Sequence, residues 1–507
     1  MQLDQPQQVI TALQAFLTTP LDDFLKQHTA ADPESAALTL FHHVAATVPA
    51  YQMFLKQHEI DPAAIQTFAD FQRLPLSTKA NYIQRYSLAQ LCPQGHLETC
   101  DMIAVSSGST GNPTFWPRSV TDEFQIALRF EQIFRDSFQA DRHRTLAVVC
   151  FPLGTWVGGM YTASCCRHLA SKGYPIMVVT PGNHKPEIFR VIQALSPAFE
   201  QVVLLGYPPF LKDVIDSGIA QGVSWPQYNL KLVMAGEVFS EEWRSLVGER
   251  VGSTQVCYDS ASLYGTADAG VLGNETPLSI CIRRWLAEHP DTARELFGES
   301  RLPTLVQYDP MSRFFEVQGD GTLLFSGDNG IPLVRYHISD NGGLIPYATM
   351  LQTLQDCGFD PVRALSTMSV PQNHHAIHPL PFVYIFGRSH FVVSYFGANL
   401  YPENVSVGLE QASICNWVTG KFVMQVKVDA DQNPFLSVVV ELAPGVEGGE
   451  EKQQAIANSI RRQLQRLNSE FANYVPAQYQ MPQITLTATG DPDYFPLGVK
   501  HYYTRAE

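Results

Sequence analysis

IMVV (176–179), PEIFRVIQAL (186–195) and QVVLL (201–205) follow one another closely in the chain. Two short apolar runs flank a segment whose Ile188, Ile192 and Leu195 fall on one helical face. Strand, helix, strand at this spacing predicts an α/β domain with buried sheets. The same type of run recurs at MIAV (102–105), LAVVCF (146–151) and LKLVMAG (230–236), so the pattern covers about 101 to 345. The first hundred residues read as helices: Leu38, Phe41, Val44, Val48 and Tyr51 recur at helical spacing within 35–55. LPLSTKANYIQRY (74–86) follows, with Ser77 as the expected cap of the next helix. The tail differs. Phe422, Met424, Val426 and Val428 alternate with other residues, LSVVVEL (436–442) is a second strand, and 450–471 carries a stripe of Ile456, Ile460, Leu464, Leu467 and Phe471. This predicts a small α+β domain. The expected division is 1–387, with 1–100 as a largely helical lead-in, and 388–507, the change falling near Gly387–His390 after FVYIF.

The chain has 507 residues, material for about three domains, or one large and one small. At 45% hydrophobic and 16% charged residues it has enough apolar side chains for a large core, which excludes a mainly disordered chain. Lys plus Arg number 34 against 49 Asp plus Glu, a net charge of −15. Such a surface repels phosphate backbones, so no nucleic-acid partner is expected. A local cluster of backbone N–H groups still binds a small anion in an acidic protein. Nine cysteines with no CxxC pair suggest reduced thiols and a cytoplasmic chain. The N-terminus lacks a basic region and a long apolar core, so no signal peptide is read there. The longest apolar runs fall short of the ~20 residues a spanning helix needs, and no membrane partner is expected.

Five segments carry chemistry. In VSSGSTGNPT (105–114) a strand runs into small hydroxyl residues and glycines. Glycine permits close backbone approach, so successive N–H groups converge on one anion, with the hydroxyls of Ser106, Ser107, Ser109 and Thr110 as further donors. No Gly-Lys-Ser/Thr follows, so this is not a Walker A loop. Alone, it is as readily a plain Gly/Ser turn. YDSASLYGTADAG (258–270) groups an aromatic, a glycine and a carboxylate: Tyr264 is suited to stacking on a base and Asp268 to Mg²⁺ held by phosphates. In PLVRYHISDNGG (332–343) an apolar run ends in Asp340, suited to ribose hydroxyls or, more plainly, to capping a turn. FGRSHFVVSYFGANLYPENV (386–405) offers Arg388, and FPLGVKHYY near the C-terminus offers Lys500, a residue that is usually solvated in such a place.

Taken in order, the five segments resemble the adenylate-forming superfamily of acyl-CoA synthetases, adenylation domains and luciferases. The similarity is greatest to the phenylacetate–CoA ligase branch. SSGTTGKPT of that branch corresponds to Ser106-Ser107-Gly108-Ser109-Thr110-Gly111-Asn112-Pro113-Thr114. Its GAEPW-like segment corresponds to Ala235-Gly236-Glu237-Val238-Phe239, and YGLSE to Tyr264-Gly265-Thr266-Ala267-Asp268. RYRTRD corresponds to 335–340, GRSDD to Gly387-Arg388-Ser389-His390, and LPFTTK to LPLSTK. The resemblance covers nearly the whole chain. It implies a large N-terminal α/β domain with a small mobile C-terminal lid. It also implies a two-step reaction: a carboxylate, aromatic or otherwise apolar by family, attacks the α-phosphate of ATP, and the thiol of CoA then displaces AMP. The implied roles are the 106–111 loop on the β- and γ-phosphates, Asp268 on Mg²⁺ and Tyr264, within the 264–266 turn, on adenine. Backbone near Gly236 and Glu237 would line the adenine edge. Asp340 would hold ribose with help from Arg388, Lys500 would bridge carboxylate and α-phosphate, and His390 would be the hinge.

The chain departs from the family pattern in places. Asn112 replaces a Lys or Arg, so the loop is uncharged. Ala267 replaces a hydroxyl residue, Asp268 is shorter than the usual Glu, His390 replaces Asp, and one extra residue separates Gly498 from Lys500. Transfer to a carrier protein or amine, or a weakly active nucleotide-binding homologue, are the alternatives. His374, His375 and His378 sit among prolines and read as a loop rather than a zinc site. Cys165 and Cys166 read as core. No motif speaks to oligomeric state; homodimers are the commonest oligomers, so a homodimer is left open.

Overall fold

In the computed structural model, residues 5–106, 114–155, 157–299, 302–368, 377–388, 393–396, 398–428, 434–468, 471–472, 475–496 and 503–504 are described. The apolar runs named above form strands. In chain order the strands are β1 (Met102–Val105), β2 (Phe115–Arg118), β3 (Thr145–Val149), β4 (Ile176–Val179), β5 (Gln201–Gly206), β6 (Leu230–Ala235) and β7 (Ser260–Thr266). Then come β8 (Gly270–Asn274), β9 (Thr304–Gln307), β10 (Phe314–Val317), β11 (Thr322–Gly327), β12 (Leu333–Ile345) and β13 (Phe382–Arg388). Among the described residues, eleven of them make one sheet in the order β10-β11-β12-β13-β9-β8-β7-β6-β5-β3-β4. The stretch from β3 to β7 pairs in parallel and the rest antiparallel.

Both faces of the parallel half are covered, because successive side chains of a strand point to opposite sides. Val148, Leu204 and Met234 pack on one face with Ile188 and Ile192 of the helix Lys185–Leu195. Ala147, Val149, Val203 and Leu205 pack on the other with Phe130, Phe134 and Leu169. Cys165 and Cys166 are buried in the helix Val157–Ser171, as core residues.

The helical lead-in covers the antiparallel half, where Phe41, Val44, Tyr51 and Phe54 join Phe315, Leu323 and Tyr336. The helical spacing of 35–55 spans two helices, Pro33–Thr47 and Pro49–Gln57. Val48 between them is extended (φ −103°, ψ 109°), because a residue before proline is pushed out of the helical region. Ser77 does not cap a helix. Its hydroxyl donates to the Val334 carbonyl at 2.9 Å, and the cap is Thr78, whose side chain accepts from the Asn81 N–H. Ser77 thereby ties the lead-in to β12.

β1 departs from the expected sheet: among the described residues it pairs only with β2, as an antiparallel ribbon from Met102↔Arg118 to Val105↔Phe115. After β13 the chain forms β14 (Val393–Tyr395), β15 (Ala398–Leu400), β16 (Val418–Val428), β17 (Pro434–Leu442) and β18 (Gln483–Thr487). The last three make their own sheet. The helix on it ends at Leu467, short of the expected 471, with Asn468 extended; Phe471 is still buried in the same core with Ile456, Ile460 and Leu464. Among the described residues, no helix is long and apolar enough to cross a membrane.

Candidate active site

The parallel register of β6 and β7 sets Ala235 against Leu263. Gly236–Glu237 and Tyr264–Thr266 therefore emerge side by side at the C-terminal ends of neighbouring strands, where open α/β sheets bind ligands. Gly236 has φ +86°, and a Cβ there would lie 2.7 Å from the Tyr207 ring, so the tight exit from β6 requires glycine.

Tyr264 and Asp340, read from separate segments, are joined here. The Tyr264 hydroxyl donates to the Asp340 carboxylate at 2.7 Å, and the Tyr264 ring lies near-parallel to Phe315. Asp340 is not at a strand end. It sits inside the long β12, paired in register with Arg388 of β13, and next to Ser339, whose φ is +66°. Asp340 and Arg388 are thus neighbours across two strands. Thr266, the last residue of β7, accepts the Ala269 N–H at its hydroxyl and so shapes the turn to Asp268.

Asp268 is buried, with both carboxylate oxygens engaged. Tyr336 donates to Oδ2 at 2.6 Å, and the Lys79 ammonium lies 3.3 Å from Oδ1. Lys79 also stands over the Trp116 ring, 5.7 Å from its centroid. Arg118 donates to the carbonyls of Ala267 (2.5 Å) and Asp268 (3.0 Å), so β2 grips the turn that carries the carboxylate. Ser106, the last described residue before 107–113, is buried. Its N–H donates to the Thr114 carbonyl at 2.9 Å and its hydroxyl accepts the Thr114 N–H at 3.2 Å, so Ser106 and Thr114 are tied to each other across 107–113.

Ser107, Gly108, Ser109, Thr110, Gly111 and Asn112 lie outside the described residues, as do His390, Gly498, Val499 and Lys500, and also His374 and His375. His378 is described: it is buried, lies 3.2 Å from Asp22, and its pKa is lowered from 6.5 to about 4, first by burial. Among the described residues, no cluster of three His, Cys, Asp or Glu is arranged to hold a metal. Mg²⁺ needs no such cluster, since it takes one or two carboxylates with phosphate oxygens and water. The Asp268 set meets that requirement through Oδ1: the Lys79 contact there is long and Lys79 is partly exposed, while Tyr336 keeps Oδ2 in place.

Sequence reading missed Lys79 and Tyr336. Both lie inside segments that were quoted for their likeness, LPLSTK and RYHISD, but neither carried a role. The available signal was charge balance, since a loop with Asn112 in place of a cation needs one from elsewhere.

The C-terminal part of the chain also meets the large sheet's unit near Glu237. Tyr503 donates to the Glu237 carboxylate, Ser240 to the Glu410 carboxylate, and Lys212 to the Cys415 and Val418 carbonyls at 3.3 and 3.1 Å.

No family model and no curated protein sequence matches the chain. Solved structures do. A 2-hydroxyisobutyryl-CoA ligase in its postadenylation state, in complex with 2-HIB-AMP, aligns at 14% identity over 94% of this chain and 87% of that one, with a TM-score of 0.63. The same ligase with 2-HIB-AMP and CoA in the thioesterification state aligns at 14% identity over 97% and 91%, with a TM-score of 0.53. Its open conformation aligns at 13% identity over 94% and 91%, with a TM-score of 0.52. Along almost its whole length, this chain has the fold of the acyl-CoA ligases that proceed through an acyl-adenylate.

Proposed function

We propose that the protein is an AMP-forming acid–thiol ligase: it activates a carboxylic acid with ATP as the acyl-adenylate and passes the acyl group to CoA. The observation that supports this reading is the convergence, at the C-terminal ends of β6 and β7, of the Gly236–Glu237 exit, the Tyr264–Asp340 pair and the turn that carries Asp268. In this reading Tyr264 packs on adenine, its edge facing the backbone of Gly236 and Glu237. Asp340 accepts hydrogen bonds from ribose hydroxyls, its orientation held by the Tyr264 hydroxyl, and Arg388 assists from the paired strand. Loop N–H groups and hydroxyls grip the polyphosphate. Lys79 supplies the positive charge that Asn112 does not, and it faces Asp268 already. Asp268 would hold Mg²⁺ through Oδ1, and the ion would neutralise charge on the polyphosphate.

Residues 388–507 act as the lid and 1–387 as the body. Lys500, carried by the lid, meets the substrate carboxylate and the α-phosphate, where negative charge concentrates. His390 serves as the hinge about which the lid turns between half-reactions. The acid is aromatic or otherwise apolar, by resemblance to the phenylacetate–CoA ligase branch. The cytoplasm and a homodimer belong to the same reading. Incubation with ATP, Mg²⁺, CoA and a panel of aryl and fatty acids tests it: acid-dependent AMP and acyl-CoA are expected. Pyrophosphate exchange without CoA consumption would instead assign a carrier protein or an amine as acceptor.

A further inference from the structure

The strip that leaves β6, Gly236 to Val238, has no ladder to hold it: among the described residues, Gly236 and Val238 make no backbone hydrogen bond. It is held at its two ends. At the start, the Gly236 turn closes against the Tyr207 ring. At the far end, Arg283 of the helix Pro277–Glu288 donates to the Phe239 carbonyl at 2.6 Å and to the Pro303 carbonyl at 2.8 Å, and its guanidinium also donates to Glu241. Glu241 opens the helix Glu241–Val251 and takes a second arginine, Arg244, at 3.0 Å. Arg244 continues to the Ser260 hydroxyl (2.8 Å) and the Glu275 carboxylate (2.6 Å), and Glu275 accepts the Ser262 N–H at 2.7 Å. Both guanidinium groups lie over the Phe239 ring, at 4.9 and 5.8 Å from its centroid. Glu241, Arg244, Glu275 and Arg283 are all buried, so each charge depends on its partners in this network. The network joins the β6 exit to β7 and to the approach to β9.

We propose that Arg283 is a positioning residue that sets base preference: by gripping the Phe239 carbonyl it fixes the Gly236–Val238 backbone, the strip that faces the base edge in the ligase reading. Adenine presents an N6 amino donor where guanine presents the O6 acceptor. A carbonyl of the strip accepts from the first and repels the second, so its placement decides between the two bases. Arg283 is buried and acts through the strip. The inference rests on the ligase reading for the nucleotide and on geometry alone for the grip.

Arg283→Lys tests both halves, because it keeps a positive charge beside Glu241 but loses the planar fork that spans Glu241 and the Phe239 and Pro303 carbonyls. In acid-dependent pyrophosphate exchange the wild type is expected to prefer ATP to GTP. In the variant, KM for ATP is expected to rise about tenfold, the value of one hydrogen bond from a charged group, with kcat within about twofold. The ATP-over-GTP ratio of kcat/KM is expected to fall by about the same tenfold. An unchanged ratio, whether or not both nucleotides lose activity together, or a wild type without preference, would overturn the base-preference half. Amide hydrogen exchange of the same variant gives the second readout. Faster exchange in 240–244, where the Trp243 and Arg244 N–H groups donate to Ser240, supports the grip; an unchanged rate there overturns it whatever the activity. Glu241→Gln keeps the shape and removes the charge that holds Arg283. It is expected to move both readouts in the same direction, and it decides the matter if Arg283→Lys does not fold. A wild type that exchanges with no acid overturns the ligase reading and the base-preference half, leaving the grip to be decided by hydrogen exchange.

Discussion

At Asp268 and Asp340 the local chemistry is set by tyrosines from elsewhere in the fold. Tyr336 holds one Asp268 oxygen and Tyr264 holds Asp340. Tyr264→Phe keeps the ring and removes the hydroxyl that donates to Asp340. Its KM for ATP is expected to rise roughly tenfold, the value of a hydrogen bond to a charged group, with kcat nearly unchanged. Steady-state kinetics at saturating acid measure both, and a fall in kcat alone would point away from a ribose role. Lys79→Ala removes the ammonium beside Asp268. It is expected to weaken ATP binding and to raise the Mg²⁺ concentration needed for half-maximal activity, a titration that separates it from a folding defect. Tyr264, Asp268 and Asp340 were singled out in the sequence by their motifs and the resemblance those motifs carry, but Asp340 was read at a strand end and lies inside β12. Lys79 was not, because its partner lies in a distant segment and a lone lysine among polar residues looks solvated.

At the scale of elements, β2 does more than close a ribbon. Arg118 is fully buried and spans the Ala267 and Asp268 carbonyls. Arg118→Met leaves both carbonyls without that donor, at about 1–3 kcal/mol each. The variant should melt at lower temperature and lose exchange activity together; normal melting with lost activity would mean that the arginine touches substrate. The docking of the helix Pro402–Leu409 on the body carries a pH dependence. Burial pushes the Glu410 carboxyl from 4.5 up to about 7; the Ser240 hydroxyl, Arg283 and Lys212 oppose this shift and Glu242 adds to it. The docked form therefore binds more protons than the solvated one between about pH 4.5 and 7, and stability falls as pH rises through that window. Glu410→Gln is expected to flatten this slope in melting scans from pH 5 to 8, and an unchanged slope would assign it to other groups. Strand positions were readable from apolar runs. The helix break at Val48, the Thr78 cap and the ribbon pairing of β1 were not, since each depends on one proline, one tertiary hydrogen bond or a partner strand rather than on periodicity.

Across the whole molecule, two packed units have separate cores. The sheet from β10 to β4 is filled by residues of the first part of the chain, whereas Val438, Val440, Ile456 and Ile460 form a core of their own. The alternation of Phe422 to Val428 followed by a helical stripe announced that second core, because two periodicities in succession need a sheet and a helix to share one apolar face. How the units meet left no pattern in the sequence, since Tyr503, Glu237, Ser240 and Glu410 each find their partner only after folding. The central claim is that a lysine of the tail unit acts on a nucleotide held by the body. It is tested most directly by acid-dependent ATP–pyrophosphate exchange in the wild type and in Lys500→Ala. Exchange with at least one acid, reduced roughly 10²–10³-fold by removing a transition-state donor, is the expected result. Exchange that is unaffected by Lys500→Ala, or absent with every acid while ATP still binds, would contradict it.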